Sequence, residues 1–160
     1  MKQSQSHFTR LLILFTALVI SAVSTAQGLR SLNSLDANSR PVPLPIDQAF
    51  PFYVSESAPG RYQVTWTVAP DHYLYRHAFN FELQSGAGTP ARPVEFSIPD
   101  GISKDDQFFG RVEAYYTRVS ADLQLVPVSG PETVLIIEFQ GCAEWGFCYP
   151  PQRISYPLPR

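Results

Sequence analysis

Two cysteines, three histidines and a charged fraction of 16% are a small stock of reactive groups for 160 residues. A structural zinc site needs four ligands and a catalytic one three. Cys142, Cys148, His72 and His77 could only just supply four, and they follow no recognised ligand spacing. Basic residues nowhere cluster, so the electrostatic footprint of a nucleic-acid-binding protein is missing. There is no glycine-rich phosphate loop, no Ser/His/Asp pattern, no internal repeat and no convincing amphipathic helix. Beyond residue 23 no segment reaches 18 consecutive apolar residues, so the sequence offers no later membrane span.

What is present begins at the N-terminus. Lys2 and Arg10 precede an uncharged, apolar run over residues 11–23, and Ser24-Thr25-Ala26 follows with small residues where a signal peptidase cuts. This is the pattern of a secretory signal peptide over residues 1–26. A retained anchor is the alternative, but 13 residues are short against the ~20 that span a bilayer. Removing 1–26 takes away two basic residues and no acids, leaving 10 Lys+Arg against 14 Asp+Glu, a net charge of −4. The mature protein is then expected to be exported and not to span the membrane. Disulfides persist in exported proteins, which suggests that the two cysteines pair. A lone nucleophilic thiol, as a Cys–His catalyst would need, is not expected to stay free. Residues 27–44 are polar and aperiodic and read as a flexible tail; the domain proper is expected over 45–160.

Within the domain the period is two. In residues 62–68 Tyr62, Val64, Trp66 and Val68 share one face and Gln63, Thr65 and Thr67 the other, a half-buried strand. Residues 73–83, 94–98, 111–125 and 153–158 read as further strands, and 133–140, with its continuous apolar centre, as a central one. Turn signals separate them at Ala69-Pro70-Asp71, Ser85-Gly86-Ala87-Gly88, Pro99-Asp100-Gly101 and Ser129-Gly130-Pro131. Short strands at this spacing predict an all-β sandwich.

The stretch QGCAEWGFCYPP, residues 140–151, holds both cysteines with five residues between them. A bridge across so short a loop stabilises by only about 2–2.5 kcal/mol on the loop-entropy model. It is a weak staple, but a bond there could open and close without unfolding the domain. Trp145 and Phe147 are expected beside the sulfurs, as a shield or docking face, or else to complete the core at one end of the sandwich. Gly146 would permit a positive φ. The acidic pair Asp105-Asp106 reads, on composition alone, as a solvated loop. Staple and redox centre remain equally open from chemistry alone.

GCAEWGFCYPP, with YLYR at 73–76, DQFFG at 106–110 and IDQAFPF at 46–52, resembles the N-terminal periplasmic domain of the thiol:disulfide interchange proteins DsbD. The resemblance spans about residues 45–158. It implies an immunoglobulin-like β-sandwich and a protein-disulfide reductase, or thiol–disulfide oxidoreductase component, that uses no cofactor. Cys148 would be the sulfur attacked by the reducing partner and Cys142 its intramolecular partner. Asp106, Gln107, Phe108, Phe109 and Gly110 would form a cap loop, Phe108 covering the sulfurs, with Tyr73 and Tyr75 close by. The family cap often carries an acid and a tyrosine where this chain has Gln107 and Phe109. Electrons would come from a thioredoxin-like domain and a membrane donor, here acting in trans, and pass to periplasmic oxidoreductases, cytochrome maturation factors among them. An immunoglobulin-like binding module with a structural disulfide is the alternative; a metal-handling accessory using the same thiols is a third.

Overall fold

Arg-Tyr-Gln-Val-Thr-Trp-Thr at 61–67 becomes a strand in which Tyr62, Val64 and Trp66 are buried, as the alternation requires. The structure, a computed structural model, describes residues 41–125 and 132–158. The expected signal peptide, residues 27–40 of the tail and the turn at 129–131 lie outside the described residues.

Among the described residues a helical turn, α1 (Ile46–Ala49), leads into twelve strands: β1 (Phe52–Ala58), β2 (Arg61–Thr67), β3 (His72–Tyr75), β4 (Asn80–Gln84), β5 (Arg92–Pro93), β6 (Phe96–Ser97), β7 (Ile102–Asp106), β8 (Gly110–Tyr115), β9 (Arg118–Gln124), β10 (Val134–Phe139), β11 (Gly141–Ala143) and β12 (Gln152–Pro157). They form three antiparallel sheets, ordered β1-β2-β9-β6, β12-β10-β4-β5 and β11-β3-β8-β7. The expected all-β, immunoglobulin-like β-sandwich is what the chain forms. β10 is central, between β4 and β12, with Leu135, Ile136, Ile137 and Phe139 buried. The main core draws on Val64 and Trp66 of β2, Val119 and Ala121 of β9, Phe81 of β4 and Leu135 and Ile137 of β10.

Two expected strands are broken. Residues 73–83 would run straight, but a 3-10 turn at Arg76–Ala78 divides them. A continuous strand would put Tyr73, Tyr75, Phe79 and Phe81 on one face. The turn instead leaves Tyr73 and Tyr75 in a small second cluster and sends Phe79 and Phe81 into the main core. Residues 111–125 likewise divide into β8 and β9, which belong to different sheets. The expected strand over 94–98 reduces to Phe96–Ser97. β1 and β7 were not legible as strands. In β7 the apolar Ile102 is 64% exposed, whereas Lys104 and Asp106 turn inward.

Candidate functional site

The site is built on β3. Adjacent residues of a strand point to opposite faces: Leu74 enters the main core, while Tyr73 and Tyr75 enter the second cluster with Cys142, Cys148, Ala114, Val112 and Tyr116. β11 pairs with β3 so that Cys142 lies directly opposite Tyr73. The pairing is close. A Cβ on Gly141 would stand 2.5 Å from the Tyr73 carbonyl and 2.5 Å from the Phe50 ring, so only glycine lets β11 approach.

Cys142 and Cys148 form a disulfide across an antiparallel bridge, their Cα atoms 4.0 Å apart. Two backbone bonds flank it: Ala143 N–H to Phe147 O, 2.7 Å, and Tyr149 N–H to Gly141 O, 3.0 Å. These make the cysteines a non-hydrogen-bonded pair, the closely spaced kind. The turn between them uses Gly146 at φ 94°. The two sulfurs differ in access: Cys142 is fully buried, whereas Cys148 is half-buried.

The Tyr75 hydroxyl stands 3.1 Å from Cys142 Sγ and 4.0 Å from Cys148 Sγ. It also donates to Asp106 Oδ2 at 2.8 Å, as does the Tyr73 hydroxyl at 2.8 Å. The other carboxylate oxygen, Oδ1, accepts the backbone N–H of Phe108 (2.8 Å) and of Phe109 (3.1 Å). Asp106 therefore ties the turn at 107–109 to the tyrosines over the sulfurs, and the sequence expectation of a solvated acid is corrected for this residue, which is buried. Burial would push its carboxyl up, but the bonds from Phe108, Tyr75, Tyr73 and Phe109 outweigh that and hold it below the ordinary value. Burial, and then the neighbouring carboxylate, push the Tyr75 phenol up to about 12. The Tyr73 phenol is pushed up more strongly, first by burial and then by its bonds to Tyr75 and Asp106.

Gly110, at φ 69°, closes the turn. Phe108 is 59% exposed and Phe109 51%. Phe109 packs edge-on against Tyr75, ring centroids 5.2 Å apart, and against His77 at 5.1 Å. Phe147 is not beside the sulfurs. One residue from Cys148 along extended chain, it points the opposite way, packs against the main core and meets Tyr149 edge-on at 4.9 Å. Trp145 stacks on Phe147 at 5.6 Å and lines a cleft of about 350 Å³ together with Tyr73, Lys104, Asp106, Gln107 and Glu144. The aromatic residues that share the sulfurs' cluster are Tyr73, Tyr75 and Tyr116.

His72 lies on the main-core side of β3, its Nδ1 donating to Pro70 O at 2.8 Å and its ring edge-on to Phe50. No three of His, Cys, Asp and Glu come together as a metal site among the described residues. Sequence reading missed Lys104, whose ammonium lies 4.3 Å from the Tyr73 ring centroid and bonds both oxygens of Glu144. Its signal was the spacing to Asp106, two residues on and so on the same side of a strand.

Residues 40–159 match the family model described as "Thiol:disulfide interchange protein DsbD, N-terminal". The chain is 33% identical over 155 residues to the thiol:disulfide interchange protein DsbD of Pectobacterium atrosepticum, covering 97% of this chain and 25% of that protein. It is 30% identical over 141 residues to that of Escherichia coli O157:H7, covering 88% and 23%. The chain thus spans about a quarter of the length of these curated relatives. Among solved structures, the reduced DsbD N-terminal domain of Neisseria meningitidis superposes with a TM-score of 0.62 at 28% identity, covering 72% of this chain and 88% of that one. The structure of that species' DsbD N-terminal domain in complex with the PilB N-terminal domain gives 0.58 at 27%, covering 71% and 85%. No helix among the described residues is long and apolar enough to cross a membrane.

Proposed function

The chain belongs to the family of DsbD N-terminal domains, and from that premise we propose that Cys142 and Cys148 cycle between disulfide and dithiol to carry electrons in the periplasm. The observation that carries the proposal is the asymmetry of the pair: a half-buried Cys148 beside a fully buried Cys142 whose sulfur faces a tyrosine hydroxyl. Exchange proceeds by attack of a thiolate on a disulfide sulfur. A thiolate of the reducing partner attacks Cys148 Sγ, the Cys142–Cys148 bond breaks, and Cys142 leaves with the electron pair. Tyr75 is the group in reach to donate a hydrogen bond to that departing sulfur. The partner's second thiol then attacks the mixed disulfide and releases Cys148, so that two electrons and two protons have been taken up in all. The reverse sequence passes them to an oxidised acceptor.

Asp106 acts through Tyr75 and through the turn it binds. It fixes the hydroxyl over the sulfurs and holds Phe108 and Phe109 in the cap. In this reading residues 1–26 direct export, the electron donor is a thioredoxin-like domain recharged by a membrane protein, and periplasmic oxidoreductases are the acceptors. The PilB N-terminal domain held by the Neisseria relative suggests the kind of protein that docks here.

Trapping tests the roles. A thioredoxin-like domain carrying a single, activated cysteine is incubated with Cys142→Ser and with Cys148→Ser. Cys142→Ser should form the mixed disulfide at least tenfold faster, since it keeps the accessible sulfur. Equal rates, or a faster Cys148→Ser, would reverse the assignment.

A further inference from the structure

Glu144 lies between the two cysteines and is held from two directions. Its backbone N–H donates to Asp71 O at 2.8 Å, and its carboxylate receives Lys104 Nζ on both oxygens at 3.0 Å each. Lys104 comes from β7, the strand that ends at Asp106 and carries the cap. Its side chain is only 17% exposed, against 40% for Glu144. Burial would lower its pKa, but the bonds to Glu144 and Tyr116 outweigh that and raise it, so the ammonium stays charged over the Tyr73 ring.

We infer that Lys104 is a positioning residue for disulfide closure: its clasp on Glu144 holds the loop between the cysteines in the bridged shape while the bond is open. The inference rests on the reversible disulfide proposed above. How readily a dithiol closes depends on how often one sulfur finds itself at the other. When the bond opens, residues 142–148 lose their covalent constraint. The two flanking backbone bonds and the Lys104 clasp then keep the strands of the hairpin opposed. Any contact that favours the bridged shape over an open one raises the equilibrium constant for closure, and by linkage the disulfide strengthens that contact by the same factor. Lys104 undergoes no chemistry. In the measured reaction the protein dithiol and glutathione disulfide give the protein disulfide and two glutathione thiols, two electrons and two protons leaving the protein.

The effect is modest because the Glu144 end of the pair is partly in solvent, where ion pairs are screened. Its expected size is about threefold to fivefold in the closure constant, or ~14–21 mV at 29.6 mV per tenfold.

The test equilibrates the mature protein, Lys104→Met, Glu144→Gln and the double variant with defined ratios of reduced and oxidised glutathione, and traps the thiols. Each single variant should favour the dithiol by about threefold to fivefold over the unsubstituted protein, the double variant no further, and Lys104→Arg should recover most of the loss. The shift should shrink as salt is raised. A variant that merely weakens the fold destabilises dithiol and disulfide forms equally and leaves the closure constant where it was. Unchanged constants, or shifts that add in the double variant, would therefore overturn the clasp. Its failure is separable from that of the carrier reading. A pair in the carrier range whose variants match the unsubstituted protein rejects the clasp alone, whereas a strongly reducing, non-exchanging pair rejects the carrier whatever the variants do.

Discussion

The Tyr75 hydroxyl lies 3.1 Å from Cys142 Sγ, the more buried of the two sulfurs. A phenol has one hydrogen, and in the disulfide form Asp106 Oδ2 takes it at 2.8 Å. When Cys142 leaves as a thiolate, a second charged acceptor appears within reach of the same oxygen. The hydroxyl can turn to it without any movement of the ring.

Tyr75→Phe keeps the ring and removes that donor. A hydrogen bond to a charged group contributes about 1.5–3 kcal/mol, and part of it is available to the developing thiolate. Reduction of the pair by a thioredoxin-like domain should slow about tenfold, measured by stopped-flow tryptophan fluorescence or quenched thiol trapping. Tyr73→Phe, whose lost hydroxyl bonds Asp106 and Tyr75, should slow it less. Equal effects would move the donor role away from Tyr75.

Asp106→Asn should cost about 1–3 kcal/mol at neutral pH, because two buried phenols and two backbone N–H groups lose a charged acceptor. Its folded-state pKa is lowered from 3.8. The unfolded chain thus takes up the proton first as pH falls. The carboxylate's stabilisation is present in full above the unfolded value and is lost as pH drops through the folded one. Urea unfolding between pH 7 and pH 2.5 should show the variant's deficit shrinking below about pH 4; a deficit independent of pH would count against a charged Asp106.

Phe108 is proposed as the movable shield of the sulfurs, and its ring is more exposed than buried. Phe108→Ala should therefore change stability by less than about 0.5 kcal/mol, as at other surface positions, while speeding oxidation of the dithiol by a small neutral oxidant several-fold. The oxidation rate is followed by loss of free thiol, and an unchanged rate would remove the shielding role.

Phe147 should behave in the opposite manner. Its ring packs on the main core, with partial exposure, so truncation falls short of the 3–5 kcal/mol of a fully buried phenylalanine. Phe147→Ala is expected to lower stability by about 2 kcal/mol in thermal or urea unfolding and to leave the oxidation rate near that of the unsubstituted protein.

The parts of this fold that alternate cleanly were legible from residue order. β2 followed from the period of two, except that Thr65, on the face expected to be solvated, is buried with its hydroxyl against Ser120, and β10 followed from its continuous apolar centre. The breaks were not, because Tyr73, Tyr75, Phe79 and Phe81 alternate as well as any strand; it is the demand of two separate clusters that forces the turn at Arg76–Ala78. β7 escaped because its inward residues are a lysine and an aspartate, each satisfied by a partner distant in sequence: the Glu144 carboxylate for Lys104, and hydrogen bonds from the two tyrosine hydroxyls for Asp106. Cys142 and Cys148 stood out as the sole thiols, whereas nothing in the order of residues 140–151 says that Phe147 faces away from them. That follows only once Cys148 is placed in an extended bridge opposite Cys142.

The most direct measurement is the equilibrium reduction potential of the Cys142–Cys148 pair in the mature protein, by thiol trapping in defined redox buffers, together with its rate of exchange with a thioredoxin-like domain. An electron carrier requires a potential near −270 mV or above and rapid exchange. A potential below about −300 mV with slow exchange would make the bond a structural staple and the domain a binding module, contradicting the proposed function.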